Sequence, residues 1–381
     1  MIGVGNIFTT NLPLKTESGI PFKIDLESLK LFEEELEMFL QSEDFMNTRE
    51  FSKKVMFTHE LKANNTVEGY NDSMSIIEKV IEDAKSVKDI EKRNRIINLY
   101  KGYQYILKGE DITEENVGKL YKILSKDLLN EHDITHMGEI YREAPVYILR
   151  HGRLDSTMDE GLPYVKVPEY MDLYFDFVNN FKISNAQTDQ FIKSQLMHFY
   201  FVYIHPFFDI NGRSSRTIAM WYLLNNSVYP YIIFNRGINF DSNYDDIIYN
   251  CKNSHDITKF LKYMLINVKK ELEKEYIVHN LHEQTSRHWH STDYEMLNYF
   301  LSLNGNKTVL DYASLYNRMN SKKRVKEFFE TMVLPLIDDK TLTIERETKK
   351  IMFNNQPNLV LSLNKNKMEK INTEKVKRLT L

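Results

Sequence analysis

The chain has 381 residues, 42% of them hydrophobic and 12% aromatic, with a formal net charge of −4. That is enough apolar material for two packed domains, and a charge balance that gives the whole chain no electrostatic case for nucleic acid. The single cysteine, Cys251, excludes an internal disulfide framework and fits a reducing compartment. The amino terminus MIGVGNIFTTNLPLK lacks the basic-then-apolar order of a secretory signal, and the longest apolar run, around 196–204, is too short to span a bilayer. A cytoplasmic protein with no membrane partner is expected.

Along the chain, apolar residues recur at three- and four-residue spacing over 26–41, 73–84 and 89–108, which predicts amphipathic helices. Thr113, followed by Glu114 and Glu115, reads as the cap of a further helix carrying Val117, Leu120, Tyr121 and Leu124. From 144 to 167 the pattern changes. Val146-Tyr147-Ile148, a polar glycine-bearing stretch and then Tyr164-Val165-Lys166-Val167 predict a β-hairpin with a long tip. Helices are predicted again over 169–181 and 187–203, and the apolar run 218–224 reads as a buried one.

After residue 275 the character shifts. His279, His282, His288 and His290 fit no zinc spacing, so 276–292 reads as a solvated linker. Residues 293–338 read as three helices, 342–353 as strand, turn, strand, and 359–363 as another strand, the outline of a winged helix over 293–363. Its third helix opens with Ser321, Lys322, Lys323, Arg324 and Lys326, which offers contacts to DNA phosphate. Glu327, Glu330 and a wing of mixed charge leave a protein-binding or dimerising role equally open. The basic tail 364–381 is expected to be disordered.

The string HPFFDINGRSSR, 205–216, carries the chemistry. His205 has an ordinary pKa close to operating pH and is a candidate acceptor for the proton of an attacking hydroxyl. Asp209 offers one hard oxygen ligand, which suits a Mg²⁺ that keeps its waters and bridges phosphates. Asn211 and Gly212 stand at the start of the buried helix, where free backbone N–H groups face an anion. Arg213 and Arg216, three apart on one helix face, are placed to fork onto phosphate oxygens. A phosphate-transfer site needs those parts in close succession.

This string resembles the HPFx(D/E)GNGRxxR signature of the Fic/Doc superfamily at His205, Pro206, Phe207, Asp209, Asn211, Gly212, Arg213 and Arg216, and departs from it at Ile210, where the family has glycine. Upstream, KANNTVEGY resembles the family's inhibitory (S/T)xxxE(G/N) helix at Glu68 and Gly69, with Asn64 where Ser or Thr is usual. The resemblance spans roughly residues 50–270. It implies a mainly α protein: a Fic-type helical core over 111–275 with a β-hairpin flap, preceded by a helical region (1–110) carrying Glu68. Some family members also end in a small winged-helix (α+β) domain, which matches the outline over 293–363.

The implied activity is transfer of AMP from ATP, with Mg²⁺, to a Ser, Thr or Tyr hydroxyl of a target protein or of the enzyme itself. In that scheme His205 is the base, Asp209 holds Mg²⁺, and the turn from Asn211 through Arg213 stabilises developing charge. Arg216 secures the γ-phosphate, and Glu68 inhibits by pairing with Arg216. In some relatives the equivalent glutamate also activates water for AMP removal. Tyr244 and Asn253 resemble the residues that line the adenine pocket, and the flap's strand edge is suited to holding an extended target segment. Family members often form dimers.

Ile210 resists positive φ and close approach to phosphate, so reduced but real activity is expected. The kinase-like branch replaces the second glycine with lysine, and the retained Gly212 argues against it. UMP, GMP and phosphocholine donors stay open. So does a non-catalytic regulator acting on DNA through the winged helix.

Overall fold

The computed structural model describes residues 12–40, 49–148, 159–182, 186–226, 242–284, 297, 307–310, 322–338, 340, 342–351 and 357–363. The chain divides into two compact units: Met1–Glu37 with Ser52–Glu271, and Met38–Phe51 with Leu272–Leu381. Up to residue 284 the described elements are nearly all helical. They are α1 (Glu27–Leu40), α2 (Arg49–Val67), α3 (Met74–Glu82), α4 (Ile90–Ile106), α5 (Glu114–Ser125), the short α6 (Glu131–Thr135), α7 (Val167–Asn180), α8 (Gln187–Ile204), α9 (Asn211–Asn226), α10 (Ser242–Ser254) and α11 (Thr258–Gln284). The mainly α class expected from the sequence is borne out.

Local chemistry sets several of these boundaries. Asp89 and Thr113 cap α4 and α5, their side-chain oxygens accepting from Lys92 N at 3.0 Å and Asn116 N at 3.2 Å. Residues 276–284 continue α11 where a linker was expected. No glycine or proline interrupts that stretch, and Leu281, Glu283 and Gln284 favour helix.

α8 and α9 form the centre of the first unit. Leu196, Met197, Phe199, Tyr200, Phe201 and Ile204 on α8 are buried, as are Ile218, Ala219, Met220 and Trp221 on α9. Both helices are enclosed on nearly every side, and polar residues such as Gln195, His198, Ser214 and Thr217 are buried with the apolar ones. The two helices pack on each other, and α4 and α5 also pack against α9. Each large side chain buried here contributes about 1.5–3 kcal/mol. The motif loop is thereby fixed as an elbow between two buried helices.

Residues 12–25 form a strap along α8 that the sequence did not announce. Leu12, Leu14, Phe22 and Ile24 are buried, and Phe22 meets the rings of Phe199, Tyr200 and Tyr203 edge-on at 5.2 to 6.2 Å. The Tyr200 hydroxyl donates to Lys15 O at 3.0 Å.

The flap differs from expectation in its return strand. β1 (Tyr147–Ile148) pairs antiparallel with β2 (Asp159–Glu160), so the partner is 159–160 and not 164–167. Tyr164–Lys166 is instead a 3₁₀ turn leading directly into α7. It lies between Pro163 and Pro168, neither of which has an N–H for a strand ladder, and Pro168 sits in the first turn of α7 where no N–H is needed. The hairpin tip, 149–158, lies outside the described residues.

In the second unit β3 (Lys307–Leu310), β4 (Leu342–Ile351) and β5 (Pro357–Leu363) make an antiparallel sheet in the order β3-β5-β4. The predicted turn within 342–353 is absent through 351: β4 is one strand with irregular register near Arg346 and Ile351. β3 was not foreseen. The expected third helix is α12 (Lys322–Phe328), a π-helical turn at Phe329–Val333 and α13 (Leu334–Asp338). Pro335, with no N–H and a ring that crowds the carbonyl four residues back, accounts for the widened turn before it. Of the first two predicted helices only Leu297 is described, as a buried helical residue, and the tail 364–381 lies outside the described residues. Among the described residues no helix is long and apolar enough to cross a membrane.

Candidate active site

α8 ends at Ile204, and His205 caps it in the left-handed conformation (φ 54°, ψ 59°). Histidine is among the few non-glycine residues that tolerate this region. The loop is then closed by Asn211, whose Oδ1 accepts from Phe207 N at 2.9 Å while its Nδ2 donates to Phe207 O at 2.7 Å. The Phe207 ring stacks on Tyr121 at 3.7 Å. The Asn211 side chain is thus committed to the loop, and its backbone is the part left to face the cavity.

Ile210 adopts the glycine-like turn outright: its φ is +65° and its side chain is 2% exposed. Its N–H donates to Asp209 Oδ1 at 2.6 Å, and its carbonyl accepts from Ser214 N at 3.0 Å, which opens α9. The left-handed region costs an L-residue about 1–2 kcal/mol, and burial of the side chain offsets that here.

His205, Asp209, Gly212 and Arg216 line one cavity of about 310 Å³, with Glu68 at the end of α2 and Tyr244 on α10. Burial draws the His205 pKa down to about 4; the Val202 hydrogen bond opposes this, and the charges of Arg142 and Lys252 add to it. The imidazole is half-buried and keeps access to the cavity. Its Nδ1 lies 3.4 Å from Val202 O, which can only accept, so Nδ1 carries the hydrogen and Nε2 is left as an acceptor.

Asp209 is exposed on the cavity wall. Among the described residues no three His, Cys, Asp or Glu side chains converge as a metal cage. A lone carboxylate fits Mg²⁺, which takes most of its ligands from phosphate and water, and does not fit structural zinc.

Arg216 is 2% exposed and held from two sides. Its Nη2 forms a short ion pair with Glu68, and its Nε donates to Asn64 Oδ1 at 2.9 Å. Burial is the largest influence on Arg216 and opposes its charge, but the Glu68 carboxylate together with the neighbouring Tyr244 and Tyr103 holds the pKa above the ordinary arginine value. Asn64 Nδ2 in turn donates to the Tyr103 hydroxyl at 3.1 Å. An amide both accepts and donates, so Asn64 bridges Arg216 and Tyr103, a role the sequence had not suggested. Gly212 lies beneath this pair: a Cβ there would collide with Glu68 Oε1 and stand 3.1 Å from Arg216 Nη1.

The remaining expected residues divide. Arg213 is buried outside the cavity lining, and its Nε has no hydrogen-bond partner among the described residues. Tyr244 lines the cavity with its hydroxyl 2.5 Å from His198 Nε2, whereas Asn253 is exposed and not part of the lining. Lys252, one residue earlier on α10, does line it. Arg142, fully buried against the motif loop, escaped notice because a single arginine in YREAPVYI carries no spacing cue.

The cavity thus brings together an imidazole, one carboxylate and the Arg216 guanidinium at the start of a buried helix. Residues 111–223 match the Fic/DOC family, and the chain carries a Fic/DOC-family domain. It is 26% identical over 224 residues to a protein from Nematostella vectensis named "Protein adenylyltransferase Fic", a match covering 56% of this chain and 47% of that one. The chain therefore spans about half the length of this curated relative. In fold it is similar to a Fic family protein from Desulfovibrio desulfuricans, with a TM-score of 0.53 and 16% identity, covering 89% of this chain and 95% of that one.

Proposed function

We propose that this chain is a protein adenylyltransferase that moves AMP from ATP to a Ser, Thr or Tyr hydroxyl, and that Glu68 holds it in an inhibited state. The observation that carries the reading is the shared cavity, in which a neutral His205 and the Asp209 carboxylate stand beside an Arg216 occupied by Glu68.

His205 Nε2 takes the proton of the attacking hydroxyl, whose oxygen forms the new bond to the α-phosphorus as pyrophosphate leaves with the electrons of the broken one. Backbone N–H groups at the start of α9 suit the charge that develops on the phosphoryl oxygens, with the buried Arg213 adding positive charge behind the cavity lining. Mg²⁺, which Asp209 would hold, supplies charge neutralisation across the phosphates. Arg216 suits the γ-phosphate, and a carboxylate on the same guanidinium competes with it directly. The buried Tyr244 ring supports a base pocket on α10.

The test is incubation with α- or γ-labelled ATP and Mg²⁺, comparing wild type, Glu68→Gly and His205→Ala. Label from the α position on protein, raised by Glu68→Gly and lowered about 10²- to 10⁴-fold by His205→Ala, is expected. Label from γ alone would mean a kinase. No label with ATP, but label with UTP, GTP or CDP-choline, would keep the scaffold's transfer chemistry and change the donor.

A further inference from the structure

Arg142 takes part in no step above, yet it is among the most deeply buried large side chains of the first unit. Its guanidinium reaches main-chain carbonyls on three pieces of chain. Nε donates to His205 O at 2.7 Å, Nη1 to Ala144 O at 2.8 Å, and Nη2 to Leu162 O and, at 3.5 Å, to Ile204 O. Its own backbone N–H donates to Pro206 O at 2.9 Å. The acceptors are the end of α8 with the motif loop, the segment entering β1 and the segment leaving β2.

Each contact has a physical reason. The last carbonyls of a helix lack partners within it, and a cation there is also favoured by the helix dipole. His205, in leaving the helix for the left-handed region, turns its carbonyl away from any continuing ladder, and that carbonyl receives Arg142 Nε. A planar guanidinium presents several N–H groups at fixed angles, which an ammonium does not. Gly161 permits the close approach of the two flap feet: its N–H donates to Val146 O at 3.0 Å, and a Cβ there would strike Val146 and lie 3.4 Å from Arg142 Nη2.

We propose that Arg142 is a positioning residue that couples the flap to the base: one guanidinium holds His205 in its left-handed conformation and pins both feet of the flap to the same loop. A target segment lying along the flap and the imidazole that takes its proton are thereby kept in one frame. The inference rests on the transfer reading above. A misplacement on the order of 1 Å costs about 10²-fold in rate, which makes such coupling visible.

The experiment uses the full chain carrying Glu68→Gly, with and without Arg142→Met or Arg142→Lys. Three quantities are read: α-label transfer at saturating ATP, the Kd of a non-hydrolysable ATP analogue, and the His205 imidazole titration by NMR. The Met variant is expected to lose about 10²-fold in transfer while the analogue's Kd stays within about threefold. Its His205 pKa should rise towards the ordinary value as the constraint and the neighbouring charge go. Lys should recover less than a tenth of the loss, and added methylguanidinium should restore part of the Met variant's rate. Unchanged transfer, or transfer and nucleotide affinity falling in parallel with an unmoved His205 titration, would overturn the proposal. If the Met variant does not fold, the Lys variant carries the same readouts. If the Glu68→Gly parent transfers no label, the transfer reading fails on its own, and the His205 titration still decides whether Arg142 holds the base.

Discussion

Asn64 Oδ1 accepts a 2.9 Å hydrogen bond from the Nε of Arg216, the same guanidinium whose Nη2 is paired with Glu68. The two partners stand four residues apart, one helical turn, and hold the arginine from one side. Their roles differ. Glu68 is half-buried and sits in the cavity, whereas Asn64 is fully buried and tied to Tyr103. Removing the glutamate therefore frees the cavity-facing edge of Arg216 and leaves its orientation intact.

The first prediction follows from that division. In a Glu68→Gly background, Asn64→Ala should raise the KM for ATP roughly 10- to 100-fold, the equivalent of about 1.5–3 kcal/mol for one hydrogen bond to a charged group. The kcat should stay within about threefold, since the reacting atoms are elsewhere. Steady-state labelling across ATP concentrations checks this, and an unchanged KM would show that Asn64 does not aim the arginine.

Gly212→Ala should act on inhibition. Its new Cβ meets the end of a half-exposed glutamate side chain, which yields more readily than the buried backbone of α9. The Glu68–Arg216 pair should loosen and basal labelling should rise several-fold, though less than in Glu68→Gly. In the Glu68→Gly background the same substitution should give no rise. A rise in both backgrounds would place its effect on something other than Glu68.

What the sequence disclosed and what it withheld separate along physical lines. The helix over 187–204 and the elbow after it were legible because apolar periodicity and a dense motif are local properties. The Glu68–Arg216 contact was reachable only through resemblance, since 148 residues separate the partners and no spacing rule joins them. The return strand of the flap was misplaced because Val165 and Val167 have strand character, while Pro163 and Pro168 decide the geometry. Arg142 was invisible as a site residue, and Asn64 was legible only as a departure from the inhibitory pattern: their roles lie in hydrogen bonds to distant chain, and neither residue type advertises that in one sequence.

Ile210→Gly tests whether the departure from the family pattern matters. The turn already has the positive φ that glycine would supply, so the loop gains no new shape from the change. Relief of the left-handed conformation returns about 1–2 kcal/mol, while deleting a fully buried isoleucine side chain removes about 2–5 kcal/mol. The expected result is a net loss of stability of about 1–3 kcal/mol with a transfer rate within about threefold of the parent. Denaturant unfolding and labelling of circular-dichroism-matched proteins measure both. A rate rising tenfold or more would show that isoleucine restrains the reaction.

The histidines set the pH behaviour. With its pKa drawn down to about 4 by burial, His205 stays an unprotonated base well into the acid range. In the Glu68→Gly variant the acid limb of kcat/KM from this group should therefore lie near pH 4 rather than at the ordinary histidine value of about 6.5. Stability follows the same sign. His198 is also held well below its ordinary value, by burial and then by Arg216. Both groups bind protons more readily in the unfolded chain, so their contribution is complete above about pH 6.5 and is lost as pH falls through the folded values. His198→Gln removes one titrating group and keeps a polar partner for the Tyr244 hydroxyl, now 2.5 Å from His198 Nε2. Melting curves from pH 7.5 to 4.5 should fall less steeply for that variant than for wild type. Parallel slopes would mean that His198 takes up its proton as readily in the folded protein as in the unfolded chain, and that its burial beside Arg216 does not depress its titration.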